Sequence, residues 1–462
     1  MKRSPKRGVA VSRPVFGEVR ADAAGIDVHS EENWVAVPPD KPGPTVRKFG
    51  ACTADLHQLA DWLQACGVKT VAMESTGVYW IPLFGILEAR GLQVFLVNAR
   101  HAKNVPGRPK TDCLDCQWLQ KLHACGLLNA SFRPDDSTCR LRTLLRYRDV
   151  LIKSLSCHTQ RMQKALSEMN VLLHKVVSDI TGSTGMRILE AILAGRRDYQ
   201  RMAGELVDPQ IQASAEQIGR ALEGDYRPEQ LFVLGQELEA RRFVQQQIGA
   251  CDGKIEEQLA IMQAAVAVPP DPPQPLTGAE KRRGNAPDFD VQSYLYRLTG
   301  VDLTRIPGIG ASAALALTSE TGIDMAPWRT DQAFASWSCL CPDTRISAGR
   351  SKGGRPQRSA NRVKHIFRQC ASTLRNSPTS YGAFYRRIRA RAGTQTAITA
   401  TARKLSCCYC RMLRHRQPYV EMGEHYYDQR YHDRVLRQLK QKARRYGYRL
   451  IQDQEPPTPP TP

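Results

Sequence analysis

Four carboxylates are spaced so that a sheet could bring them together. Asp27 lies inside Gly25-Ile-Asp-Val-His29, within a short apolar run that reads as a strand. Glu74 closes a second such run, in Met73-Glu-Ser-Thr-Gly77. Asp112 and Asp115 stand three apart in Lys110-Thr-Asp-Cys-Leu-Asp-Cys116, hence on one face of a helix. Strand ends and the facing side of a helix are where a sheet can gather distant acids. Four carboxylates at one point repel, and a hard, oxygen-seeking cation such as Mg²⁺ compensates them. Two such ions can hold the attacking and leaving oxygens of a phosphodiester displacement. Each acid taken singly is more often a helix cap or a solvated charge. The set, in this order and on these elements, favours metal-assisted chemistry.

A second candidate is the Gly-rich segment Leu340-Cys-Pro-Asp-Thr-Arg-Ile-Ser-Ala-Gly-Arg-Ser-Lys-Gly-Gly-Arg355. Read as a loop, it holds hydroxyls among Arg345, Arg350, Lys352 and Arg355. It could set a nucleophile beside a scissile phosphate, with arginines neutralising charge that develops in the transition state. It reads equally as a flexible basic loop that only binds nucleic acid. Chemistry alone does not select Ser347 over Ser351 or Ser359. The third candidate is Leu303-Thr-Arg-Ile-Pro-Gly-Ile-Gly-Ala311, followed by an apolar helix. Gly308 and Gly310 bend the chain and expose N–H groups at a helix N-terminus, a natural phosphate site. The wording resembles the helix-hairpin-helix motif, which grips phosphates without reading sequence. An ordinary helix–helix turn is the alternative.

These groups need elements to hold them. From Ala23 the pattern alternates: strands at Ala23–His29 and Trp34–Val37 as a hairpin, a helix at Leu56–Leu63, and a strand at Thr70–Met73. A helix at Pro82–Glu88, a strand at Leu92–Val97 and a helix at Asp112–Cys125 follow. This predicts a mostly parallel sheet with covered faces over 21–132. Over 133–268 the period changes. Leu141, Leu145, Arg148, Ile152, Leu155, Thr159, Met162, Leu166, Met169, Leu173 and Val176 step by four and three, a heptad seam. A second seam runs through Leu231, Leu234, Leu238, Ile248, Ile255, Leu259 and Met262, interrupted by Arg241, Gln245 and Asp252. Two such coiled-coil helices could pair within one chain or between chains. A Pro- and Gly-rich linker at 269–289 leads to a mainly helical, basic domain at 290–454. Residues 455–462 form a Pro/Thr tail that reads as disordered, and 1–20 form a basic leader.

Composition narrows the partner. The 462 residues exceed one ordinary core, and Lys plus Arg outnumber Asp plus Glu by 66 to 45, a net charge of +21. Such a balance favours a polyanion, with nucleic acid leading. No apolar run is long enough for a membrane span, and the leader lacks the apolar stretch of a secretory signal, so a cytoplasmic protein is expected. The 14 cysteines are scattered without paired CxxC units, so buried thiols are expected and zinc is not.

The three signals in this order resemble one family: insertion-sequence transposases with an N-terminal RuvC-like DEDD domain and a C-terminal serine domain, related to the Piv DNA invertases. The bridge-RNA-guided recombinases belong to it. The resemblance runs from about Gly25 to Leu450 and implies a RuvC/RNase H-like fold ahead of all-α regions. It implies that Asp27, Glu74, Asp112 and Asp115 bind Mg²⁺, and that Ser347, a fixed step after Leu340-Cys-Pro342, is the nucleophile. Gly308, Gly310, Arg345, Arg350, Lys352 and Arg355 would contact nucleic acid. The implied partners are DNA, a structured guide RNA and further copies of the chain, as dimer or tetramer. The segment between the seams is longer than in compact members, and the loop before Ser359 is shorter. The rival reading is a RuvC-like nuclease or junction resolvase whose C-terminal domain only binds DNA.

Overall fold

The computed structural model describes residues 19–75, 77–98, 111–208, 210–266, 284–342, 345–352, 354 and 361–451. Most of the basic leader, most of the Pro-rich linker, Arg355, Ser359 and the Pro/Thr tail lie outside the described residues. The chain divides into two compact units at Arg133/Pro134.

The first unit is a five-stranded sheet with helices on both faces. Strands β1 (Ala23–Val28), β2 (Glu32–Ala36), β3 (Val46–Gly50), β4 (Thr70–Glu74) and β5 (Gln93–Val97) are ordered β3-β2-β1-β4-β5. The expected mostly parallel sheet is corrected here. β1 pairs with β4, and β4 with β5, in parallel, but β1–β2 and β2–β3 are antiparallel, so the sheet is mixed. The reason is the added strand β3. Its Val-Arg-Lys-Phe-Gly run carries one buried apolar side chain, Phe49, and so leaves almost no alternation to read.

Alternation along β1 assigns its two faces. Ala24, Ile26 and Val28 join Val71 and Met73 of β4 in a core closed by helices α1 (Thr53–Ala65) and α2 (Trp80–Ala89). The other face of the sheet packs through Ala72 and Val97 on Leu119 of helix α3 (Asp112–Ala124). Gly25 belongs to that second face. A methyl group there would fall within the van der Waals envelope of the Cys116 carbonyl and the Gln120 amide, so only glycine lets α3 lie this close to β1. Gln120 Nε2 donates to the Ala23 carbonyl (3.1 Å), which fixes the direction: α3 runs back along β1, with its N-terminus at the C-terminal end of the strand.

The second unit is almost wholly helical. Helix α4 (Asp136–Glu168) is capped by Asp135, whose side chain accepts from the Thr138 amide. The heptad pattern continues to Val176, but the helix does not. Asn170 takes φ +55°, its N–H bonds the Ser167 carbonyl, and that of Val171 bonds the Leu166 carbonyl at 2.8 Å. This left-handed stop is one that asparagine tolerates. Met169 and Leu173 are buried all the same, in a cluster built with helices α5 (Leu173–Val176), α6 (Ser183–Leu193), α7 (Tyr199–Leu206) and α8 (Ala215–Leu222).

Helix α9 (Pro228–Ala264) then returns along α4. Contacts Ser137–Gln258, Arg148–Asp252 and His158–Glu237 descend in register, so the helices pair antiparallel within the chain. Two polar seam positions, Arg148 and Asp252, meet as a buried ion pair. Breaking such a pair costs about 3–5 kcal/mol, because the survivor is left charged and dry. Val244 is buried in the stretch where Gln245 interrupts the expected seam, and Gln245 itself is exposed.

Helices α10 (Val291–Thr299), α11 (Ala311–Thr321), α12 (Asp331–Trp337), α13 (Arg362–Thr373), α14 (Ser380–Ala392) and α15 (Thr394–His415) follow; α11, α12, α13 and α15 meet around Phe334, Phe367 and Tyr409, and α14 packs on α15 through Tyr385, Ile388 and Ala397. Glu320 of α11 accepts from Arg146 of α4 (2.8 Å) and pairs with Arg142 and Arg362, tying these helices to the long pair. Helix α16 (Gly423–Arg445) contributes no buried residue. No helix among the described residues is long and apolar enough to cross a membrane.

Candidate functional site

Asp27 shares the α3 face of β1 with Gly25, being two residues further along the pleat. Glu74 ends the adjacent parallel strand and, since Ile26 pairs Met73, falls on the same face. Asp112 and Asp115 occupy the first turn of α3, where Thr111 caps the helix and the positive end of its dipole favours carboxylates. Residues from β1, β4 and α3 are thus directed to one end of the sheet.

The convergence is tight for part of the set. Ligand atoms of Asp27, His29 and Asp112 lie within 4.8 Å of one another. His29 Nε2 is 3.2 Å from Asp27 Oδ2 and 3.6 Å from Asp112 Oδ1. Glu74 acts on the same point through its charge. Burial, above all, and then the Glu74 and Asp112 carboxylates push Asp27 above the usual carboxylate range, against the pull of His29. Asp115 lies a turn deeper into α3, half-buried and outside that cluster. His29 stands out only in the structure, although its place two residues after Asp27 was the available signal.

These donors suit a divalent cation. Two carboxylate oxygens and an imidazole nitrogen face one another, a third acid stands near, and the Asp27 carboxylate is disfavoured as an anion until something positive joins it. Cys116 does not compete as a ligand, because burial pushes its thiol up to about 12. His123, buried in the same helix, is structural. It lies 2.9 Å from Thr70 Oγ1 and 3.1 Å from Arg20, and burial, aided by Arg20, depresses it to about 4.

The serine segment is a β-hairpin rather than the expected loop. Strands β6 (Arg345–Ser347) and β7 (Arg350–Lys352) pair antiparallel, with Ser347 opposite Arg350 and Arg345 opposite Lys352. The two-residue connection has φ +50° at Ala348 and +73° at Gly349, positive at both positions as a type I′ turn requires. Ser347 is exposed.

At the third candidate, a 3₁₀ turn (Leu303–Arg305) precedes Ile306-Pro-Gly-Ile309, closed by the Ile309 N–H to the Ile306 carbonyl at 3.0 Å. Pro307 and Gly308 (φ +83°) take the central positions of a type II turn. A Cβ on Gly308 would lie 2.7 Å from the Cys370 carbonyl, so that glycine is needed for packing. Gly310 is the N-cap of α11 and faces open space.

Residues 24–171 match a transposase family model of the DEDD IS110 type. Residues 302–386 match the model described as Transposase IS116/IS110/IS902 family. The chain belongs to the IS110-type DEDD transposases. The first match holds all four acids, and the second holds Ser347, Gly308 and Gly310. No curated protein matches the chain. An IS110-type transposase cuts and rejoins DNA, and the DEDD family brings dependence on a divalent metal.

Proposed function

We propose that this transposase is a recombinase in which Ser347 attacks a DNA phosphodiester while Asp27, Glu74, Asp112 and Asp115 hold Mg²⁺ or a similar cation. The observation that carries the reading is the meeting of Asp27 and Asp112, with Glu74 beside them, at one end of a sheet covered by helices on both faces. That arrangement supports a RuvC-like domain. When bound, the cation supplies Lewis-acid stabilisation of charge at a phosphodiester oxygen.

The protein's own groups do the rest. Ser347 Oγ makes a bond to phosphorus as the DNA oxygen departs; the hydroxyl gives up its proton, and the departing oxygen takes one. Arg345, Arg350 and Lys352, in the same hairpin as Ser347, neutralise the phosphate as charge develops. The choice of Ser347 over Ser351 as the nucleophile rests on the family resemblance. The open N-terminus of α11 at Gly310, following the Gly308 turn, serves as a second phosphate contact. A structured guide RNA and assembly into a dimer or tetramer complete the proposal; both rest on the family resemblance, and the charge of +21 accommodates RNA and DNA together.

Denaturing electrophoresis of protein incubated with labelled DNA, divalent metal and cognate RNA tests the reading. Wild type is expected to give a covalent adduct that maps to Ser347 by mass spectrometry. Ser347→Ala should bind nucleic acid but form none, and Ser351→Ala should keep some. An adduct on Ser351, Ser359 or a tyrosine would refute the assignment. Cleavage without any adduct would favour the metal-dependent nuclease.

A further inference from the structure

His29 is not one of the four acids, yet it lies nearer to Asp27 and Asp112 than a bystander need. It directly follows β1, and its backbone N–H donates to the Glu32 carbonyl (3.1 Å), closing the β1–β2 connection. The imidazole therefore rises from an anchored point. Its Nε2 stands 3.2 Å from one carboxylate oxygen and 3.6 Å from another. A partly exposed ion pair would account for one such approach and contributes little. Two approaches by the same nitrogen match a shared coordination sphere better. Donors set at right angles around a cation with bonds of about 2.1 Å lie about 3 Å apart.

We propose that His29 Nε2 is a direct ligand of the cation held by Asp27 and Asp112, and that it tilts this centre toward Mn²⁺ over Mg²⁺. The proposal rests on the metal-holding reading above. Both ions favour oxygen donors, but Mn²⁺, as a first-row transition metal, accepts an imidazole nitrogen more readily than Mg²⁺, which demands near-ideal octahedral oxygen geometry and keeps its waters. Ligation through Nε2 leaves the ring proton on Nδ1, and the His29–Asp27 hydrogen bond gives way to common coordination.

The test uses the full-length, metal-free protein titrated with Mn²⁺ alone and in competition with Mg²⁺. Binding is followed by electron paramagnetic resonance, and pulsed measurements read nitrogen coupling to the bound Mn²⁺. Wild type should show a histidine ¹⁴N coupling that converts to the ¹⁵N pattern when histidine is labelled. His29→Ala should lose that coupling and lose Mn²⁺ affinity on the order of tenfold, with a much smaller loss for Mg²⁺. Mn²⁺ binding that Asp27→Asn abolishes but that shows no histidine coupling would overturn the proposal and leave the metal centre standing. Coupling or metal preference unchanged in His29→Ala would overturn it equally. Absence of any Mn²⁺ or Mg²⁺ binding that Asp27→Asn weakens would remove the metal reading itself, and this proposal with it.

Discussion

Asp27 and Ser347 both lie at or near the end of a short strand, but the two strands are held in different ways. β1 is the middle strand of five, every residue of it is buried, and Asp27 is 6% exposed. β6 has three residues and one partner strand, and Ser347 at its end is exposed. The difference suits the roles proposed for the two groups. Carboxylates that share a cation must be held within a fraction of an ångström against their own repulsion, which takes rigid elements packed on both sides. A hydroxyl that must reach a phosphate on a separate DNA molecule needs access more than burial. The first region stores electrostatic strain and the second stores backbone strain, in Ala348.

Charge removal at the buried region should have the largest effect. Asp27→Asn and Asp112→Asn are each expected to lower recombination at least about 10²-fold, with circular dichroism and DNA binding retained. In the metal-free protein Asp27→Asn should also raise Tm. The fold holds the Asp27 pKa above its unfolded value, so the ionised carboxylate destabilises the native state at neutral pH and its removal relieves that cost. Full recombination in either variant, or in the presence of EDTA, would count against the site.

Acid should distinguish the regions next. His123 is depressed to about 4 from 6.5, so the unfolded chain takes up a proton before the folded one does. Stability is complete above pH 6.5 and falls as the pH drops toward 4, by about 3 kcal/mol at 1.36 kcal/mol per unit. Denaturant midpoints across this window should decline in wild type and flatten in His123→Gln. Hydrogen exchange at Arg345–Lys352 should not follow the same titration. A slope unchanged in His123→Gln would assign the acid sensitivity elsewhere.

Gly25→Ala tests the scaffold without touching a charge. The added methyl meets the α3 backbone at Cys116 and Gln120, and overpacking of this kind costs about 1–3 kcal/mol. Calorimetry should show the loss, and Mn²⁺ affinity should fall because Asp112 rides on the displaced helix. Unchanged affinity at lowered Tm would mean that the site tolerates movement of α3.

The smallest effect is expected at the ribbon. Ala348→Asn places Asn-Gly in a turn with positive φ at both positions, relieving about 1 kcal/mol of left-handed strain. Amide exchange in Arg345–Lys352 should slow several-fold, with Tm nearly unchanged. Faster exchange there would contradict the two-residue turn and the pairing of Ser347 with Arg350.

Local pattern by itself determined much of this protein. Strand and helix periods locate β1, β2, β4, β5 and α1 to α3 within a few residues, because buried apolar positions recur with the period of the element that buries them. The order of the acids and of the serine segment carried the family resemblance. What local pattern omits is decided by contacts between distant residues. β3 is legible only as a partner of β2, since Phe49 is its one buried side chain and hydrogen bonding to β2 supplies the rest of its hold. The seams left open whether the long helices pair within or between chains; the buried Arg148–Asp252 pair and the descending contacts make that pairing internal here. The heptad run gave no sign of the stop at Asn170, because Met169 and Leu173 keep the seam spacing and stay in one core with the seam residues Met162 and Leu166. Ser347 and Ser351 are chemically alike in sequence, and only the two-residue turn at Ala348 and Gly349 pairs Ser347 with Arg350 and Ser351 with Ile346 along the backbone. His29 joins Asp27 and Asp112 for the same reason: the helix that brings Asp112 to the strand is positioned by the missing side chain of Gly25, and a close approach is a property of two surfaces, which no single stretch of sequence contains.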